Sequence, residues 1–559
     1  MKIMFLLFAV IGFLNGCKKS ENNLNPPNPS APGPFKFIGA TVDGTTSASF
    51  IFYNVGKKPI AKLSFSSPID KGTASDHVFL TENNSGTGVP INFSYDNNDS
   101  VLVVQPISAL QPITYYTLKV DTSLHSSDNV SLASTAQLYL TTTIDSTDKF
   151  PQVPDSALLD LVEQQTFKYF WDFGHPVSGL ARERNSSGDV VTIGGSGFGV
   201  MAILTGISRN FVSRSQGLNR ISQIVSFLSN SAQRYHGAFP HWLNGSTGAT
   251  IPFSSQDDGA DLVETSYLME GLLCARQYFS NASDSTEINL RNAINQLWNG
   301  IEWSWFRQGG QNVLYWHWSP DFGFAINMQI KGWNEAMIVY ALAASSNTDT
   351  IPKIVYDNGW AGNGSMRNGN TYYGIQLLLG PPLGGPLFFA HYSFLGINPT
   401  NLQDAFANYW TQNTNHAKIN FSYCVANPKS FNGYSSSCWG LTASDDNNGY
   451  SAHAPDNDDG VISPTAAISS LPYTPTESMN TLRFFYYKLG DKIWGQYGFI
   501  DAFNLSNIWF SNSWLAIDQG PEIIMIENYR TGLLWNLFMS CPEIKRGMSD
   551  LGFQSPNLN

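Results

Sequence analysis

The sequence is poor in charge and especially in basic residues. Charged residues make up 13% of the 559-residue chain, and 31 Lys and Arg stand against 43 Asp and Glu, which gives a formal net charge of −12. A protein that binds nucleic acid needs basic surface to neutralise phosphate, and an acidic surface repels a polyanion. The composition therefore argues against nucleic acid, and against an anionic polysaccharide, as the ligand.

Cysteine and histidine are also scarce, at five and nine residues. No pair of them has the spacing of a zinc site, no HExxH motif is present, and no serine lies in a nucleophile elbow. The sequence thus gives no support to a metalloprotease or a serine hydrolase, and we expect neither a metal nor another cofactor. Cys424 and Cys438 share one polar loop and could form a disulfide in an oxidising compartment.

Aromatic residues, by contrast, are abundant, with 15 Trp, 24 Tyr and 36 Phe. Aromatic rings stack on the apolar faces of sugars, so this bias suits a protein that binds a neutral carbohydrate. Large hydrophobic cores use the same residues, and 42% of the chain is hydrophobic. The chain is long enough for two or three domains.

Residues 1–17 have the pattern of a bacterial export signal. Lys2 precedes an apolar run that is too short to span a bilayer, and the segment ends in Leu-Asn-Gly-Cys, which resembles a lipobox. We expect Cys17 to carry lipid and to anchor the protein to the cell envelope. The alternative is an ordinary cleaved signal with an incidental cysteine. The polar, proline-rich residues 18–34 are typical of a linker.

Residues 35–144 have the pattern of an all-β domain. Short β-branched or alternating runs are separated by Gly, Asn, Asp, Ser and Pro; they lie at 60–65, 100–104, 115–120 and 136–141. The pattern predicts a β-sandwich and resembles the bacterial Ig-like domains of exported enzymes. It contains no cluster of acids or histidines, so we interpret it as a spacer or scaffold, with a carbohydrate-binding module as the alternative.

Residues 150–559 change to helical periodicity. Apolar residues recur at helical spacing from Leu158 onward, and further helices are predicted near 198–209, 217–230, 260–279, 285–301, 333–345, 401–411, 474–488 and 521–538. Long loops lie between them at 306–332, 360–400 and 413–463. Many helices in one large body predict an α-helical toroid, and loops of this length in a compact domain are usually functional.

One acidic run stands out in this charge-poor domain. Asp257, Asp258, Asp261 and Glu264 fall within eight residues, directly before an apolar segment. Taken as the first turns of a helix, the run places Asp257, Asp261 and Glu264 on one face. Crowded carboxylates repel each other unless a substrate, a cation or a proton is shared. The alternative is that these acids only complement the helix dipole.

Paired carboxylates suit glycoside hydrolysis, in which one acid protonates the leaving oxygen and one carboxylate activates water or attacks directly. Glu335 lies between Trp333 and Met337, which could supply the apolar setting that raises the pKa of an acid. The sequence therefore suggests Glu335 as the acid and a member of the 257–264 run as the base. A structural salt bridge is the alternative for Glu335. Asp518 is a third candidate, although it could equally cap a following helix.

Several residues pair a ring or a charge with a hydrogen-bonding partner on predicted loops, as a sugar-binding cleft requires. Any one of them could instead serve packing. The candidate substrate-binding residues are Arg182, Arg184, His241, Trp242, Asp258, Trp316, Trp333, Trp439 and Asn528.

Several long blocks also resemble a known family. Residues 170–176, 257–265, 439–445, 494–499, 517–521 and 527–530 resemble a bacterial glycoamylase-like domain over about 155–553. Specifically, they resemble glycoside hydrolase family 144, the endo-β-1,2-glucanases. The resemblance implies an (α/α)6 toroid that hydrolyses linear β-1,2-glucan to sophorooligosaccharides with inversion. The acids that matter in the family map onto Asp257, Asp261, Glu264 and Glu335.

Three other functions stay open at this point. The protein could be an exo-acting relative that releases sophorose, a glycan-binding lipoprotein without catalysis, or a polysaccharide lyase, against which the lack of a basic cleft counts. We expect a monomer that binds a polysaccharide or oligosaccharide and contacts the membrane only through its lipid anchor.

Overall fold

The computed structural model describes residues 32–559. The predicted export signal, Cys17, which is expected to carry lipid, and most of the linker at 18–34 lie outside the described residues. The chain divides into two compact units, a β unit that ends at Leu140 and a helical unit that holds Thr141–Asn559; the short segments 53–57 and 110–115 also group with the second unit. Within residues 32–559, no helix has both the length and the apolar character needed to cross a bilayer.

The β unit is a sandwich of two five-stranded sheets. Its strands are β1 (Phe37–Val42), β2 (Thr45–Thr46), β3 (Ile51–Val55), β4 (Ala61–Phe65), β5 (Val78–Glu82), β6 (Gly88–Val89), β7 (Ile91–Asp96), β8 (Val101–Pro106), β9 (Tyr115–Val120) and β10 (Ala136–Thr142), with one helix, α1 (Lys71–His77). The sheet orders are β2-β1-β4-β8-β7 and β3-β10-β9-β5-β6. Leu63, Leu102, Leu118 and Leu138 are fully buried between the sheets, because alternate residues of each strand face inward. The predicted Ig-like sandwich is confirmed.

The helical unit contains the remaining helices. They are α2 (Asp155–Trp171), α3 (Ile193–Ser208), α4 (Arg214–Asn230), α5 (Leu262–Tyr278), α6 (Ser285–Asn299), α7 (Met337–Ser345), α8 (Lys353–Val355), α9 (Tyr409–Ala426), α10 (Pro464–Ser469), α11 (Pro475–Ile493), α12 (Ala516–Thr531), α13 (Leu533–Met539) and α14 (Pro542–Leu551). Short 3₁₀ or π turns lie at Trp303–Arg307, Tyr356–Trp360, Gly362–Gly364, Pro382–Gly384, Leu387–Ala390, Tyr392–Phe394 and Pro556–Leu558.

Inner and outer helices alternate along the chain. The inner ring is formed by α3, α5, α7, the turns at 387–394, α10 and α12, and it is closed because α12 packs against α3. Every residue of α7 is buried, as expected for a helix that is apolar on all sides. Outer helices such as α4 and α6 keep an exposed polar face. The predicted (α/α)6 toroid is confirmed.

The contact between α3 and α5 depends on glycine. A Cβ atom on Gly197 would lie 2.1 Å from the carbonyl oxygen of Tyr267, and one on Gly271 would lie 2.2 Å from the carbonyl oxygen of Gly197. The two backbones therefore approach more closely than any side chain would allow. This close approach brings the first turns of α3 and α5 together at one end of the ring.

Short two- and three-stranded ribbons shape the loops at that end. They are built from β11 (Val190–Thr192), β12 (Trp242–Asn244), β13 (Thr250–Ile251), β14 (Ala260–Asp261), β15 (Leu314–Tyr315), β16 (His317–Trp318), β17 (Gln329–Ile330), β18 (Thr371–Tyr372), β19 (Ile375–Gln376), β20 (Ala443–Asp446), β21 (Gly449–Ala452), β22 (Trp494–Gly495), β23 (Gly498–Phe499), β24 (Phe503–Asn504) and β25 (Trp509–Phe510). In the ribbon β14-β16, Asp261 pairs with His317 and Ala260 with Trp318.

Two predictions from the sequence are corrected, and the open question of a Cys424–Cys438 disulfide is answered. The helix expected at 401–411 is α9 at Tyr409–Ala426, most of which lies in the stretch 413–463 that was expected to be a loop. The acidic run does not lie on one helical face, because α5 begins only at Leu262 and Asp261 is its N-cap. Cys424 and Cys438 are free, buried thiols rather than a disulfide.

Candidate active site

A pocket of about 350 Å³ opens where the inner helices begin. Consecutive helices of the toroid run in opposite directions, so the N-termini of all inner helices meet at this end. Two carboxylic acids, Glu264 and Glu335, line the pocket. The aromatic residues of its lining include Tyr267, Trp316, Phe388, Tyr392 and Tyr450, and the polar ones include His241, Gln329 and Asn334. The predicted residues that meet here are Glu264, Glu335, His241 and Trp316.

Glu335 lies in the turn directly before α7 and is half-buried. Its carbonyl oxygen accepts hydrogen bonds from the Tyr267 hydroxyl, at 3.4 Å, and from the Ser393 hydroxyl, which fix the backbone beneath the side chain. Burial raises the pKa of Glu335 to about 7, and the negative charges of Glu264 and Asp261 add to that increase. At neutral pH Glu335 can therefore hold a proton, as a general acid must.

Glu264 lies in the first turn of α5 and is 4% exposed. Its Oε2 atom accepts hydrogen bonds from the backbone N–H of Gly194, at 2.8 Å, and from the Thr192 hydroxyl, at 3.3 Å. Burial raises the pKa of Glu264, whereas the charge of His241 lowers it. Contacts from the first turn of α3 thus hold this carboxylate at the pocket wall.

Asp261 does not line the pocket but orients residues that do. Its Oδ1 atom accepts hydrogen bonds from the backbone N–H groups of Val263 and Glu264, both at 2.9 Å, and so caps α5. Its Oδ2 atom lies 2.8 Å from Nδ1 of His241 and 2.8 Å from Nε1 of Trp316. Asp261 is fully buried, and all of its strong acceptor positions are in use.

His241 lines the pocket. Burial alone lowers the pKa of His241, but the charge of Glu264, the hydrogen bond to Asp261 and the charge of Asp257 outweigh burial and raise that pKa to about 9. The imidazolium form therefore persists at neutral pH. A fixed cation beside Glu264 favours the ionised form of that carboxylate.

Asp257 and Asp258 lie behind this network. Asp257 is 2% exposed, and its Oδ1 atom lies 3.2 Å from Nε2 of His317, which also accepts the backbone N–H of Gly259 at 3.2 Å. Within residues 32–559, His241, Asp257 and Asp261 form one group whose candidate ligand atoms lie within 4.8 Å of one another. Asp261 already accepts four hydrogen bonds, so the arrangement fits a hydrogen-bonded network better than an open ligand set for a metal.

A second buried acid pair lies behind the opposite wall. Asp518, in the first turn of α12, follows the pocket residue Ile517 and shares a hydrogen bond with Asp501. Burial, then the nearby charge of Asp501, raises the pKa of Asp518 well above its ordinary value. Burial also raises the pKa of Asp501 to about 7. Burial is the main cause of both shifts, and the hydrogen bond between the two carboxyls adds to the increase for Asp518 but lowers the pKa of Asp501. The sequence did not indicate Asp501.

Both predicted arginines are engaged by protein groups. Arg182 donates to the carbonyl oxygens of Gly188, at 2.7 Å, and Phe173, at 2.6 Å. Arg184 forms ion pairs with Glu183, at 2.9 Å, and with Asp445, at 3.1 Å. Asp445 belongs to the hairpin β20-β21, which carries Tyr450 to the pocket, so Arg184 helps to position that hairpin.

Other predicted substrate contacts lie away from the pocket. Trp333 and Trp439 are at most 4% exposed and pack in the core, Trp333 against Tyr409 and Trp439 against Phe421. Asn528 caps α13 by accepting the backbone N–H of Leu534 at 3.1 Å. Trp242 is half-buried and packs edge-on against the exposed ring of Phe253, whose centroid is 4.9 Å away.

Sequence reasoning missed several pocket residues. Tyr267 and Tyr392 look like core positions because they lie in apolar runs, and Tyr450 and Gln329 lie in long loops without a recognisable motif. Asn334 had a usable signal, since it directly precedes Glu335. A polar residue beside a candidate acid is a reasonable candidate for substrate contact.

The closed helical toroid and its pocket with two carboxylic acids define the glycoside hydrolase class. Residues 327–542 match the Glycoamylase family model, described as "Putative glucoamylase", and residues 42–143 match the bacterial Ig-like domain. The endo-beta-1,2-glucanase of Chitinophaga pinensis, in complex with sophorotriose and glucose, is 51% identical with a TM-score of 0.71. That match covers 73% of this chain and 100% of the other. The chain belongs to the glycoamylase-like family, and its resemblance to the endo-β-1,2-glucanases is confirmed.

A solved structure and a curated relative from Parabacteroides distasonis are also similar. The structure of a beta-1,2-glucanase is 36% identical with a TM-score of 0.70 and covers 94% of this chain and 73% of its own. A curated relative, an exo beta-1,2-glucooligosaccharide sophorohydrolase (non-reducing end), is 46% identical over 419 residues, which are 71% of this chain. The match spans 58% of the length of that curated relative.

Proposed function

We propose that this protein hydrolyses the β-1,2-glucosidic bonds of linear β-1,2-glucan. The observation that carries the proposal is the position of Glu335, whose raised pKa keeps a proton available beside Glu264 in an aromatic-lined pocket. The named activities of the similar proteins, both endo and exo, support this substrate. The neutral glucan also suits a pocket lined mainly by rings and hydroxyls, whose cationic His241 is paired with Asp261.

In the proposed reaction Glu335 is the general acid. Its proton passes to the glycosidic oxygen as the bond from that oxygen to the anomeric carbon breaks. A water molecule attacks the anomeric carbon from the other face and gives its proton to Glu264, the one member of the acidic run that lines the pocket. Direct attack by water inverts the anomeric configuration.

Asp518 is the second candidate for the base. It lies behind the wall that Ile517 and Tyr392 form, and its pKa responds to Asp501. Glu264→Gln and Asp518→Asn separate the two assignments. Added azide can replace a missing catalytic base, so rescue of one variant only, with a glucosyl azide product of inverted configuration, identifies the base.

We infer endo action, with sophorooligosaccharides of several lengths as products. The similarity to the endo-beta-1,2-glucanase extends over the whole of that chain, which favours this mode. The exo mode, with release of sophorose, is the second candidate because the curated relative acts in that way.

The test is to incubate the purified protein with linear β-1,2-glucan and to resolve the products by length over time. A spread of short oligomers at the start supports endo action, whereas a single disaccharide supports the exo mode. Glu335→Gln is the matched control and should release product at least a hundred-fold more slowly, on the order of the loss of a general acid. If wild type and variant both leave the glucan intact yet bind it, the protein is a glycan-binding protein and the proposal is wrong.

We also propose that the chain is exported and anchored to the cell envelope by lipid on Cys17, and that it acts as a monomer. The lipobox-like run that ends at Cys17 supports the anchor. Cys17→Ala should move the full-length protein from the membrane fraction to the soluble fraction. Retention of the variant in the membrane fraction would contradict the anchor, and light scattering of the released protein gives its oligomeric state.

A further inference from the structure

An exposed aromatic cluster lies outside the pocket. Trp305 is 42% exposed and stacks on the ring of His236, with centroids 3.8 Å apart and planes 14° apart. The ring of Trp318 meets both edge-on, at 4.6 Å from His236 and 6.3 Å from Trp305. Because His236 covers one face of the Trp305 indole, the other face is left to solvent.

The cluster is held in place by its backbone. His236 has a φ of 52°, a conformation that costs energy for a residue with a side chain, and Tyr235 and Ala238 exchange backbone hydrogen bonds around it. Its Nδ1 atom lies 3.0 Å from Oε2 of Glu302. A Cβ on Gly237 would lie 1.9 Å from the carbonyl oxygen of Gly300, so only glycine permits this turn. The turn therefore keeps the imidazole beneath Trp305.

The cluster continues the wall of the pocket. Trp316 lines the pocket and directly precedes β16, in which Trp318 follows His317. Side chains of extended backbone alternate between faces. The intervening His317 turns inward to Asp257. Two residues of a strand advance about 7 Å, roughly the length of one glucosyl unit. Trp318 is therefore expected on the same side of this extended segment as Trp316, about one glucosyl length away and outside the set of residues that line the pocket.

Trp305 also lies at the correct end of the toroid. It follows the end of the outer helix α6, and outer helices end where inner helices begin. The exposed indole is therefore at the same end as Glu264 and Glu335. In contrast, the exposed ring of Tyr529 lies near the last turn of the inner helix α12, at the opposite end.

We propose that the Trp305 indole is a stacking platform for a glucosyl unit of the substrate chain outside the pocket, an inference that rests on the proposed function. The indole face matches the apolar face of a pyranose ring, and His236 fixes its orientation before the substrate binds. The platform binds only chains long enough to reach it. Its effect is to favour long glucans over short oligosaccharides.

The test compares kcat/KM for β-1,2-glucooligosaccharides of increasing length in wild type, Trp305→Ala and Trp305→Phe. Trp305→Ala should lower kcat/KM for long chains about three- to ten-fold and leave the shortest cleaved oligosaccharide unchanged. Trp305→Phe keeps a ring and should retain most of the preference. Tyr529→Ala, which removes an exposed aromatic ring at the opposite end of the toroid, is the matched control. It should change kcat/KM for neither long nor short chains.

Three results would overturn the proposal or separate it from the proposed function. An equal loss at every length would show that Trp305 only supports the fold, and no loss at any length would show that no glucosyl unit stacks there. If the wild type cleaves no β-1,2-glucan, the proposed function is wrong. Affinity electrophoresis in gels that contain this glucan then tests whether Trp305 binds it. Equal retardation of wild type and Trp305→Ala would overturn the proposal.

Discussion

The carboxylate of Asp261 lies 2.8 Å from Nδ1 of His241, and its other oxygen caps α5. One side chain therefore fixes both the start of the helix that carries Glu264 and the charge of the imidazole beside it. The acids of the run therefore have different tasks. Asp261 holds His241 and the start of α5 in place, whereas Glu264 lines the pocket. Nothing in the spacing of the acids distinguishes these two tasks.

Asp261→Asn should lower the pKa of His241 from about 9 toward its ordinary value. Asparagine is as good an N-cap as aspartate, so α5 should persist although the negative charge at position 261 is lost. The raised pKa of His241 stabilises the fold below pH 6.5, and this contribution is lost as pH rises to 9. The variant should show a weaker dependence, because the charge of Glu264 remains beside the imidazole. The measurement is an NMR titration of the histidine rings. Asp189→Asn, which removes the partner of His175, is the control and should leave His241 unchanged.

Glu335→Gln should lower kcat/KM on β-1,2-glucan by about 10²- to 10⁴-fold, since the amide cannot donate a proton to the leaving oxygen. On a nitrophenyl sophoroside the loss should be far smaller, because nitrophenolate leaves without a proton. Steady-state rates with the two substrates provide the comparison. Equal losses on both would exclude Glu335 as the acid.

The kcat/KM of the wild type should fall as pH rises through about 7. The acid is active only when protonated, and the pKa of Glu335 is raised to about 7, so the loss lies on the alkaline side. Rates on short oligosaccharides from pH 5 to 9 give the profile. With the nitrophenyl substrate, the rate of Glu335→Gln should not decrease on the alkaline side of the profile. If that decrease remains, it is due to the titration of another group.

Asp501→Asn should make the fold less sensitive to pH between about 4 and 7. A carboxyl whose pKa is raised to about 7 in the folded state costs stability as pH rises from its unfolded value through 7, and asparagine removes that cost. Urea unfolding at pH 5 and pH 8 measures the difference. Asp456→Asn on the exposed loop is the control and should keep the wild-type difference.

Gly197→Ala should destabilise the helical unit by about 1–3 kcal/mol or prevent its folding. The new Cβ would lie 2.1 Å from the backbone oxygen of Tyr267, and neither helix can move without disturbing the ring. Thermal unfolding measures the effect. Asn292→Ala, on the exposed side of α6, should leave the midpoint within error of wild type.

Much of the architecture was predictable because it depends on local patterns. The strands at β4, β8, β9 and β10 and most of the long helices were predicted to within a few residues. The exception, α9, buries Gln412, Asn413, His416 and Asn420, so its inward face is polar. Hydrophobic periodicity cannot detect such a helix. Its buried polar groups are instead satisfied by neighbouring loops, as when Gln412 accepts the backbone N–H of Leu379.

The site was predictable only in part. The sequence indicated Glu264 and Glu335 because acids are rare in this chain and both adjoin apolar runs. It could not separate a tryptophan at the pocket, such as Trp316, from one in the core, such as Trp439, since both occur beside polar residues in loops. It could not pair Asp501 with Asp518 either, because tertiary contact alone brings them together.

The closure of the inner ring has a consequence for biogenesis. The pocket draws its walls from the first turns of α5, α7 and α12, and α12 must find α3, which lies hundreds of residues earlier in the chain. Contacts between such distant segments form late, since their loop-closure entropy must be overcome first. A partly synthesised chain can be rich in helix yet hold no complete pocket. Catalytic competence is thus acquired in a single late event, after the C-terminal helices have emerged.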